Sequence, residues 1–193
     1  EARAGELQIV HLWSRDPEQF LEAWAGPTPP NLRTSTKTER NLPIQQFIIL
    51  ANCQAGADGN CQLSATVDIT APDGTAYGEQ MEFPVWDNQP APGRNRLVLS
   101  PNSIGLVVED GEQLGMYQVA LAVTDHHAEV TATNTRTIEV VEAGALPVEE
   151  AAQALPARVE SMPDFSHVTD RTIAQAMVAE GKLARIFLQP LEL

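Results

Sequence analysis

One stretch of the chain decides its fold: Gln62-Leu63-Ser64-Ala65-Thr66-Val67-Asp68-Ile69-Thr70. Apolar and polar residues alternate along it, which is the pattern of a β-strand with one face in a core and the other in water. The residues predicted to face inward are Leu63, Ala65, Val67 and Ile69. A turn follows in Pro72-Asp73-Gly74, because proline presets φ and glycine accepts a positive φ.

Short β segments recur on both sides of this stretch. Upstream, residues 44–51 are apolar on both faces, as expected of a central strand. Downstream, strands are predicted at residues 76–83, 96–99, 103–108, 115–124 and 129–140, with turn residues between them. Repeated short strands separated by turns indicate two sheets packed as a sandwich, rather than strands that alternate with helices.

The N-terminal region carries the signals of a strand and a helix. Residues 6–13 alternate loosely and are predicted to form an edge strand. Asp16 and Pro17 are the residue types that cap and begin a helix, and Gln19 stands where it would complete a capping box. The predicted apolar face of this short helix consists of Phe20, Leu21 and Trp24.

The C-terminal region changes character after residue 141. Residues 142–165 are rich in Ala, Glu and Pro, and a helix is predicted from Arg171 to about Phe187. The apolar segment 186–193 should dock on the sandwich or on a partner. The predicted organisation is a strand and helix segment that packs on the sandwich (1–40), a β-sandwich domain (41–142), and a linker with a helical tail (143–193).

The only two cysteines are Cys53 and Cys61, and a turn-rich stretch separates them. This spacing suits a disulfide across the open end of a β-hairpin, which would contribute about 2 to 3 kcal/mol by closing a short loop. A metal site lacks a nearby His or further Cys, and a Cys-x-x-Cys redox pair is absent. A structural disulfide implies an oxidising compartment.

A resemblance to a known family rests on the stretches Gly115-Met116-Tyr117-Gln118-Val119 and Val123-Thr124-Asp125, which are similar to a late strand of immunoglobulin-like and fibronectin-type sandwiches. Together with Trp24, Cys53, Asn60-Cys61 and the turn at 72–74, they resemble an uncharacterised family of exported proteobacterial proteins over residues 7–140. The resemblance implies the fold and the compartment, and it implies no catalytic residues. The predicted fold class is mainly β: an immunoglobulin-like antiparallel β-sandwich with a short N-terminal helix and a C-terminal helical tail.

The net charge of −14 excludes some partners. Nucleic-acid binding depends on clustered Lys and Arg, and only 12 basic residues are scattered along the chain, so no nucleic acid is expected. No apolar run approaches the roughly 20 residues that cross a bilayer, so no membrane-spanning helix is expected, although a lipid anchor stays open. A first residue Glu1 rather than Met is expected of a mature protein whose signal peptide has been removed.

The candidate binding surface consists of Trp86, His126 and His127. Adjacent histidines in a strand point to opposite faces, so the pair is expected to be exposed turn residues rather than ligands of one metal ion. Trp86, beside prolines, is the best candidate for an exposed ring that stacks on a sugar, whereas Trp24 is expected in the core. The acidic turn Glu109-Asp110-Gly111-Glu112 and the Asp58-Gly59-Asn60 loop are expected to be solvated turns rather than calcium sites.

No catalytic motif is present in the sequence: there is no nucleophile elbow, zinc-protease motif, phosphate loop or dinucleotide fingerprint. We therefore expect a non-catalytic protein-binding or accessory module, not an enzyme, with no cofactor and a periplasmic or secreted location. The alternatives are a carbohydrate-binding or carbohydrate-active protein on a β scaffold, and a periplasmic assembly chaperone that donates an edge strand. A bare sheet edge or apolar patch would favour the module, and a deep acid-lined cleft would favour the enzyme.

Overall fold

The strand on which the prediction is built, residues 62–70, is confirmed, and its four inward residues are buried. A computed structural model describes residues 1–26, 30–146, 152–154 and 186–190, the last two segments through their backbone. The elements in chain order are β1 (Ala2–Ala4), β2 (Leu7–Ser14), α1 (Pro17–Ala25), β3 (Asn31–Arg33), β4 (Lys37–Glu39), β5 (Ile44–Ala51), β6 (Asn60–Thr70), β7 (Met81–Pro90), β8 (Val98–Leu99), β9 (Asn102–Leu106), β10 (Gly115–Asp125), β11 (Val130–Val141), β12 (Ala152–Ala154) and β13 (Ile186–Pro190).

Two sheets form the body of the protein. The first has the order β1-β2-β5-β9-β13, with β8 also paired to β5, and the second has the order β4-β11-β10-β6-β7. The β4–β11 pair is parallel, and the other pairs of the described strands are antiparallel. β12 pairs with β3 in a small separate ribbon. The arrangement of β2-β5-β9 against β11-β10-β6-β7 is that of an immunoglobulin-like sandwich, so the mainly β fold class is confirmed.

The main core lies between the sheets and is built from alternating inward residues. From β10 these are Tyr117, Val119, Leu121 and Val123, all buried as predicted. The Tyr117 hydroxyl donates to the carbonyl oxygen of Gln113 at 2.7 Å. This is the tyrosine corner of immunoglobulin-like sandwiches, in which a buried phenol finds a backbone acceptor at the start of its strand. The ring is therefore buried without an unpaired hydroxyl.

β5 is buried on both faces, as predicted for a central strand. Its interior face adds Ile48 and Leu50 to the main core, and its other face carries Phe47 and Ile49. The second face needs a cover of its own, which α1 provides: Phe20 stacks on Phe47 with ring centroids 3.8 Å apart and planes 9° from parallel. The members of this second core are Phe20, Trp24, Leu32, Phe47, Ile49 and Leu99.

The start of α1 is confirmed. The Asp16 side chain accepts a hydrogen bond from the N–H of Gln19 at 3.0 Å, and Pro17 is the first helical residue. The other half of a capping box is missing, because the N–H of Asp16 donates to the Ser14 hydroxyl instead. The strand before the helix was predicted at an edge; this is wrong, since β1 pairs with its outer side.

β7 and β11 begin later than predicted. Ala76 makes only an isolated bridge to Thr70, and β7 itself starts at Met81 and continues through Pro84 to its end at residue 90. Proline is tolerated there because β7 is the last of the described strands in its sheet and its register with β6 shifts at two points. Glu129, predicted in the last strand, has a φ of 54° and belongs to the turn before β11.

The predicted C-terminal helix lies outside the described residues, apart from its last two positions. Ile186 and Phe187 belong to β13, which pairs antiparallel with β9, so the helical prediction is wrong for these two residues. The β9 edge explains the difference, because it offers backbone groups that an extended segment satisfies. Docking of the apolar segment on the sandwich is confirmed for residues 186–190. Among the described residues, no helix is long and apolar enough to cross a membrane.

The predicted disulfide between Cys53 and Cys61 is present, with the two Cα atoms 6.1 Å apart. The prediction that it closes the mouth of a hairpin is wrong. Cys53 follows β5 and Cys61 lies in β6, and these strands belong to different sheets. The bond therefore closes an arch through which the chain crosses from one sheet to the other.

Replacement of both cysteines, Cys53→Ser with Cys61→Ser, should lower the free energy of unfolding by about 2 to 3 kcal/mol, because the unfolded chain regains the entropy of a short loop. Urea unfolding measures the change. Wild-type protein unfolded with a reductant is the matched control and should lose a similar amount. An unchanged midpoint in both experiments would contradict a stabilising bond.

Candidate functional site

Three loops meet at one end of the sandwich, which we call the loop end: residues 52–59, 91–97 and 126–129. Backbone hydrogen bonds join them to each other and to the sheet. The N–H of Ala91 donates to the carbonyl of Gly59 at 3.1 Å, and the N–H of His126 donates to the carbonyl of Gln62 at 3.0 Å. In variable immunoglobulin domains, the loops at one end of the sandwich form the binding surface.

Asp125 connects two of the three loops from a fully buried position. One carboxylate oxygen accepts the N–H of Gln54 at 2.7 Å, and the other accepts the N–H groups of His127 and Ala128, each at 3.0 Å. A buried carboxylate needs such donors, and here all of them are backbone groups of the loop end. The Asp125 side chain thus holds the 52–59 loop against the 126–129 turn. In the sequence, its only signal is an Asp at a turn.

His126 and His127 are exposed in the 126–129 turn, as predicted. They have different neighbours: Nε2 of His126 lies 2.9 Å from the Ser64 hydroxyl, on the outer face of β6. The ring of His127 lies against Gly56, where an added Cβ would come within 2.8 Å of its Cε1 and Nε2 atoms. Glycine at position 56 therefore makes room for the His127 ring beside the disulfide-closed loop.

Asp58 sits at the tip of the same loop. Its carboxylate accepts the backbone N–H of Asn60 at 3.0 Å and the Asn60 side-chain N–H at 3.1 Å. These hydrogen bonds, the backbone one above all, hold the pKa of the Asp58 carboxyl below its ordinary value, and the nearby His127 acts in the same direction. The N–H of Gly59 donates to the carbonyl of Gly56 at 3.1 Å, so the predicted turn is confirmed.

A pair of asparagines ties the 91–97 loop to the loop end. The backbone N–H of Asn95 donates to the Asn52 side chain at 2.7 Å, and the two side chains bond to each other at 3.3 Å. Both residues have positive φ angles, 60° and 61°, a conformation that asparagine tolerates better than most residues. All three loops are therefore joined by hydrogen bonds that involve their own backbone.

Trp86 is half-buried rather than displayed on the surface. It stands opposite Leu63 in β6, packs against the main core, and donates its indole N–H to the carbonyl of Pro90 at 3.2 Å. His126 bonds to Ser64, the next residue of β6, whose side chain points to the other face of the sheet. The structure therefore does not bring Trp86 and His126 onto one surface. Trp24, by contrast, lies in a core as predicted.

His11 is a buried polar residue to which the sequence pattern assigns no role. It lies on the interior face of β2, and the indole N–H of Trp13 donates to its Nε2 at 2.9 Å. The Gln46 amide nitrogen lies 2.8 Å from the same atom. An indole N–H can only donate, so Nε2 must offer its lone pair and the neutral ring carries its proton on Nδ1.

The charge state of His11 follows from its surroundings. Burial is the main cause that lowers its pKa from 6.5 to about 3, and the positive charge of Arg136 on β11 acts in the same direction. Asn134, also on β11, opposes part of this shift. His11 is therefore a neutral hydrogen-bonding centre between the two sheets. His167, the remaining histidine, lies outside the described residues.

The acidic residues of the described segments do not converge on a metal site, since no group of three or more His, Cys, Asp or Glu side chains is placed to hold an ion there. In the turn 109–112, the Glu112 carboxylate accepts the N–H of Glu109 at 2.7 Å and lies 2.8 Å from the Tyr77 hydroxyl. Glu39 accepts the N–H groups of Gly144 and Leu146, each at 2.8 Å, which lowers the pKa of its carboxyl. These carboxylates hold turns and segments in place.

No protein-family model and no curated protein matches the chain. Solved structures match at low identity. A family 123 glycoside hydrolase from Clostridium perfringens is 12% identical with a TM-score of 0.41, and the match covers 72% of this chain and 28% of the hydrolase. The CARDB domain of a Pyrococcus furiosus protein, solved with di-metal ions, is 14% identical with a TM-score of 0.35 and covers 70% and 89%. An immunoglobulin-like protein from Pseudomonas aeruginosa is 12% identical with a TM-score of 0.32 and covers 73% and 97%. Such distant likenesses carry no argument about activity or ligands.

Asp125→Ala should lower the free energy of unfolding by about 2 to 4 kcal/mol, because buried N–H groups lose their acceptor. The variant should also free the two loops from each other, which hydrogen exchange measures as faster exchange at the amides of Gln54, His127 and Ala128. Thr124→Ala, at the neighbouring position of β10, is the control and should leave these amides protected. Unchanged exchange in the Asp125 variant would contradict the coupling.

The stability of the protein should fall between pH 6.5 and pH 4, partly because of His11. The unfolded chain binds a proton there near pH 6.5, whereas the folded chain does so only near pH 3. Above pH 6.5 the titration of His11 therefore does not lower the free energy of unfolding. Below that pH it lowers the free energy of unfolding progressively, by about 3 kcal/mol at pH 4. His11→Gln keeps an acceptor for Trp13 but cannot titrate, so urea unfolding at several pH values should show a shallower slope. Equal slopes in the two proteins would show that His11 does not titrate in this way.

Proposed function

We propose that this chain is an exported, non-catalytic binding module that recognises a protein partner through its loop end. The observation that carries the proposal is the buried Asp125 carboxylate, which accepts backbone N–H groups from two loops at 2.7 to 3.0 Å. A binding surface made of loops gains affinity when its conformation is fixed before the partner arrives, because less entropy is lost on binding. The carboxylate fixes two loops in this way.

The covalent bond supports the same proposal. The disulfide closes the 52–59 loop, and the Asn52–Asn95 hydrogen bonds add the third loop. The exposed groups on this framework include the Asp58 carboxylate and the imidazoles of His126 and His127, all of which are polar. Such a surface fits a partner with complementary charge and hydrogen-bonding groups rather than an apolar ligand.

The location is part of the proposal. A disulfide persists in oxidising compartments, so the Cys53–Cys61 bond supports a periplasmic or secreted protein.

The two alternatives have weaker support. A strand-donating chaperone needs an accessible edge. Among the described strands, β7 is the long edge strand of the second sheet, but Pro84, Pro90 and two register shifts interrupt its pairing groups. A sugar-stacking platform needs an open ring, and Trp86 is half-buried with its N–H bonded to a backbone carbonyl. The non-catalytic proposal rests on the buried polar groups as well, since His11 and Asp125 are both used to hold the fold together.

Affinity capture tests the proposal with three versions of the chain as bait: wild type, the double variant His126→Ser with His127→Ser, and Met116→Ser. Met116 is exposed at the other end of β10, roughly 30 Å from the loop end by strand length, so its variant is the matched control. A periplasmic extract should yield partners that wild type and the control retain and that the double variant loses by about tenfold or more.

A cytoplasmic extract is the second control and should not yield the same partners. Equal retention by all three baits would mean that the histidines of the loop end do not contribute to binding. Partners captured equally from both extracts would argue against the proposed compartment.

A further inference from the structure

The inward face of β11 changes character midway along the strand. Two of its residues, Asn134 and Arg136, are polar and half-buried, whereas the apolar residues of this face are buried. Opposite them on β10 stand Leu121 and Val119, which belong to the main core, so the two polar side chains point toward the space between the sheets. Solvent therefore reaches the interior beside Asn134 and Arg136. The buried apolar residues of the face are Ala132, Ile138 and Val140.

Arg136 carries a positive charge that no carboxylate of the described residues balances with an ion pair. Its Nε atom is buried and has no hydrogen-bond partner there either. Glu1, whose backbone carbonyl lies beside Asn134, pairs its carboxylate with Arg3 instead. A buried N–H group costs free energy unless an acceptor meets it, and for a guanidinium the best acceptor is an anion.

His11 supplies a second buried donor close to Arg136. Its Nε2 atom accepts the indole N–H of Trp13, so the proton of the neutral ring is on Nδ1. This Nδ1 atom is buried and has no hydrogen-bond partner among the described residues. Arg136 and Asn134 both act on the pKa of His11, which places them near its ring. Two buried N–H groups, one from each sheet, therefore lie near each other without an acceptor.

Gln46 adds a buried acceptor to the same place. Its Nε2 atom lies 2.8 Å from the His11 Nε2 atom, which offers a lone pair, so the amide must direct its N–H group there. The Gln46 Oε1 atom is left buried without a donor. The Asn134 Oδ1 atom is also unpaired, but this amide is free to turn over, because its Nδ2 atom makes only a long hydrogen bond of 3.5 Å to Glu1. We call His11, Gln46, Asn134 and Arg136 the interior polar cluster.

We propose that the interior polar cluster binds a small hydroxycarboxylate, whose carboxylate accepts the N–H groups of His11 and Arg136 and whose hydroxyl donates to Gln46. A carboxylate accepts two neighbouring N–H donors at once, and here the hydrogen bonds are charge-assisted. One unbalanced positive charge beside a neutral imidazole matches a monovalent anion better than a phosphate dianion. The hydroxyl provides the donor that Gln46 needs and that a carboxylate lacks. The loop end takes no part in this site.

Nuclear magnetic resonance of the imidazole nitrogens tests the site in the full-length chain at neutral pH. The His11 signals are those that the His11→Gln variant lacks, and glycolate is the probe. The Nδ1 signal of His11 should shift saturably, with a Kd of roughly millimolar for so small a ligand. Acetate lacks the hydroxyl and should bind about tenfold more weakly, because the Gln46 acceptor stays unpaired. Sodium chloride at the same ionic strength should give no saturable shift.

Two arginine variants test the ionic contact. Arg136→Gln removes the charge of the cluster and should weaken glycolate binding by at least about tenfold, because the carboxylate loses its charge-assisted donor. Arg94→Gln makes the same change of charge at an exposed arginine, whose only printed neighbour among the carboxylates is Glu6 at 3.4 Å. This matched control should bind glycolate as tightly as the wild type does.

Several outcomes overturn the proposal. These are a His11 signal that does not respond to glycolate in the wild type, an equal response to chloride, equal affinities for acetate and glycolate, and undiminished binding by the Arg136 variant. The three titrations of the wild type decide the question without any variant of Arg136, which covers the case in which that variant does not fold.

Discussion

The burial of β5 on both faces is the constraint from which much of the architecture follows. A strand with core on both sides must lie inside its sheet, so β2 and β9 flank it. The second sheet covers only one of its faces, and the other face, with Phe47 and Ile49, would expose large apolar side chains to water. α1 and the neighbourhood of Leu32 cover that face, which is why the sandwich carries a helix at all.

The same strand places a polar group in the interior. Gln46 points into the space between the sheets, where His11 and Trp13 of β2 meet it. A polar atom in such a place is costly unless it is hydrogen-bonded, and a charge is costlier still. The arrangement avoids the second cost by using a group that can be neutral: the indole N–H requires an acceptor, and unprotonated His11 supplies it. A lysine or a protonated histidine at this position would leave the indole without an acceptor and put a second positive charge near Arg136.

The comparison of sequence and structure shows which interactions a local pattern encodes. Alternation in β6 and β10, continuous burial in β5 and the cap at Asp16 are local, and the sequence predicts them correctly. The pairing of the cysteines could also be predicted, but the arch that they close could not, because spacing does not say whether two strands share a sheet. β7 was misplaced because the strand passes through Pro84, which a pattern reads as a break and an edge position tolerates.

Only part of the candidate site could be predicted from the sequence. The exposure of His126 and His127 follows from turn chemistry, but Trp86 lies on the other face of its sheet from His126 because the register shift in β7 sets its direction. Asp125 and His11 are buried, and each has one hydrogen-bond partner far away in the sequence. Gln54 and Gln46 are separated from them by 71 and 35 positions, respectively, so no window along the chain contains both partners.

The disulfide stabilises one loop of the sandwich rather than the packing of its two sheets. In antibody domains a bond joins the two sheets through the core, between the strands that correspond here to β5 and β10. A bridge at Leu50 and Val123, for example, would close a loop of more than seventy residues and contribute about 4 kcal/mol on the chain-entropy model, against about 2 to 3 kcal/mol for the short loop between Cys53 and Cys61. The core instead holds apolar side chains at these positions. The covalent bond lies where it contributes less to overall stability and more to the shape of one loop, the loop that Asp125 also fixes. The disulfide and the buried Asp125 carboxylate therefore both fix the conformation of the loop end, whereas the hydrophobic core holds the two sheets together.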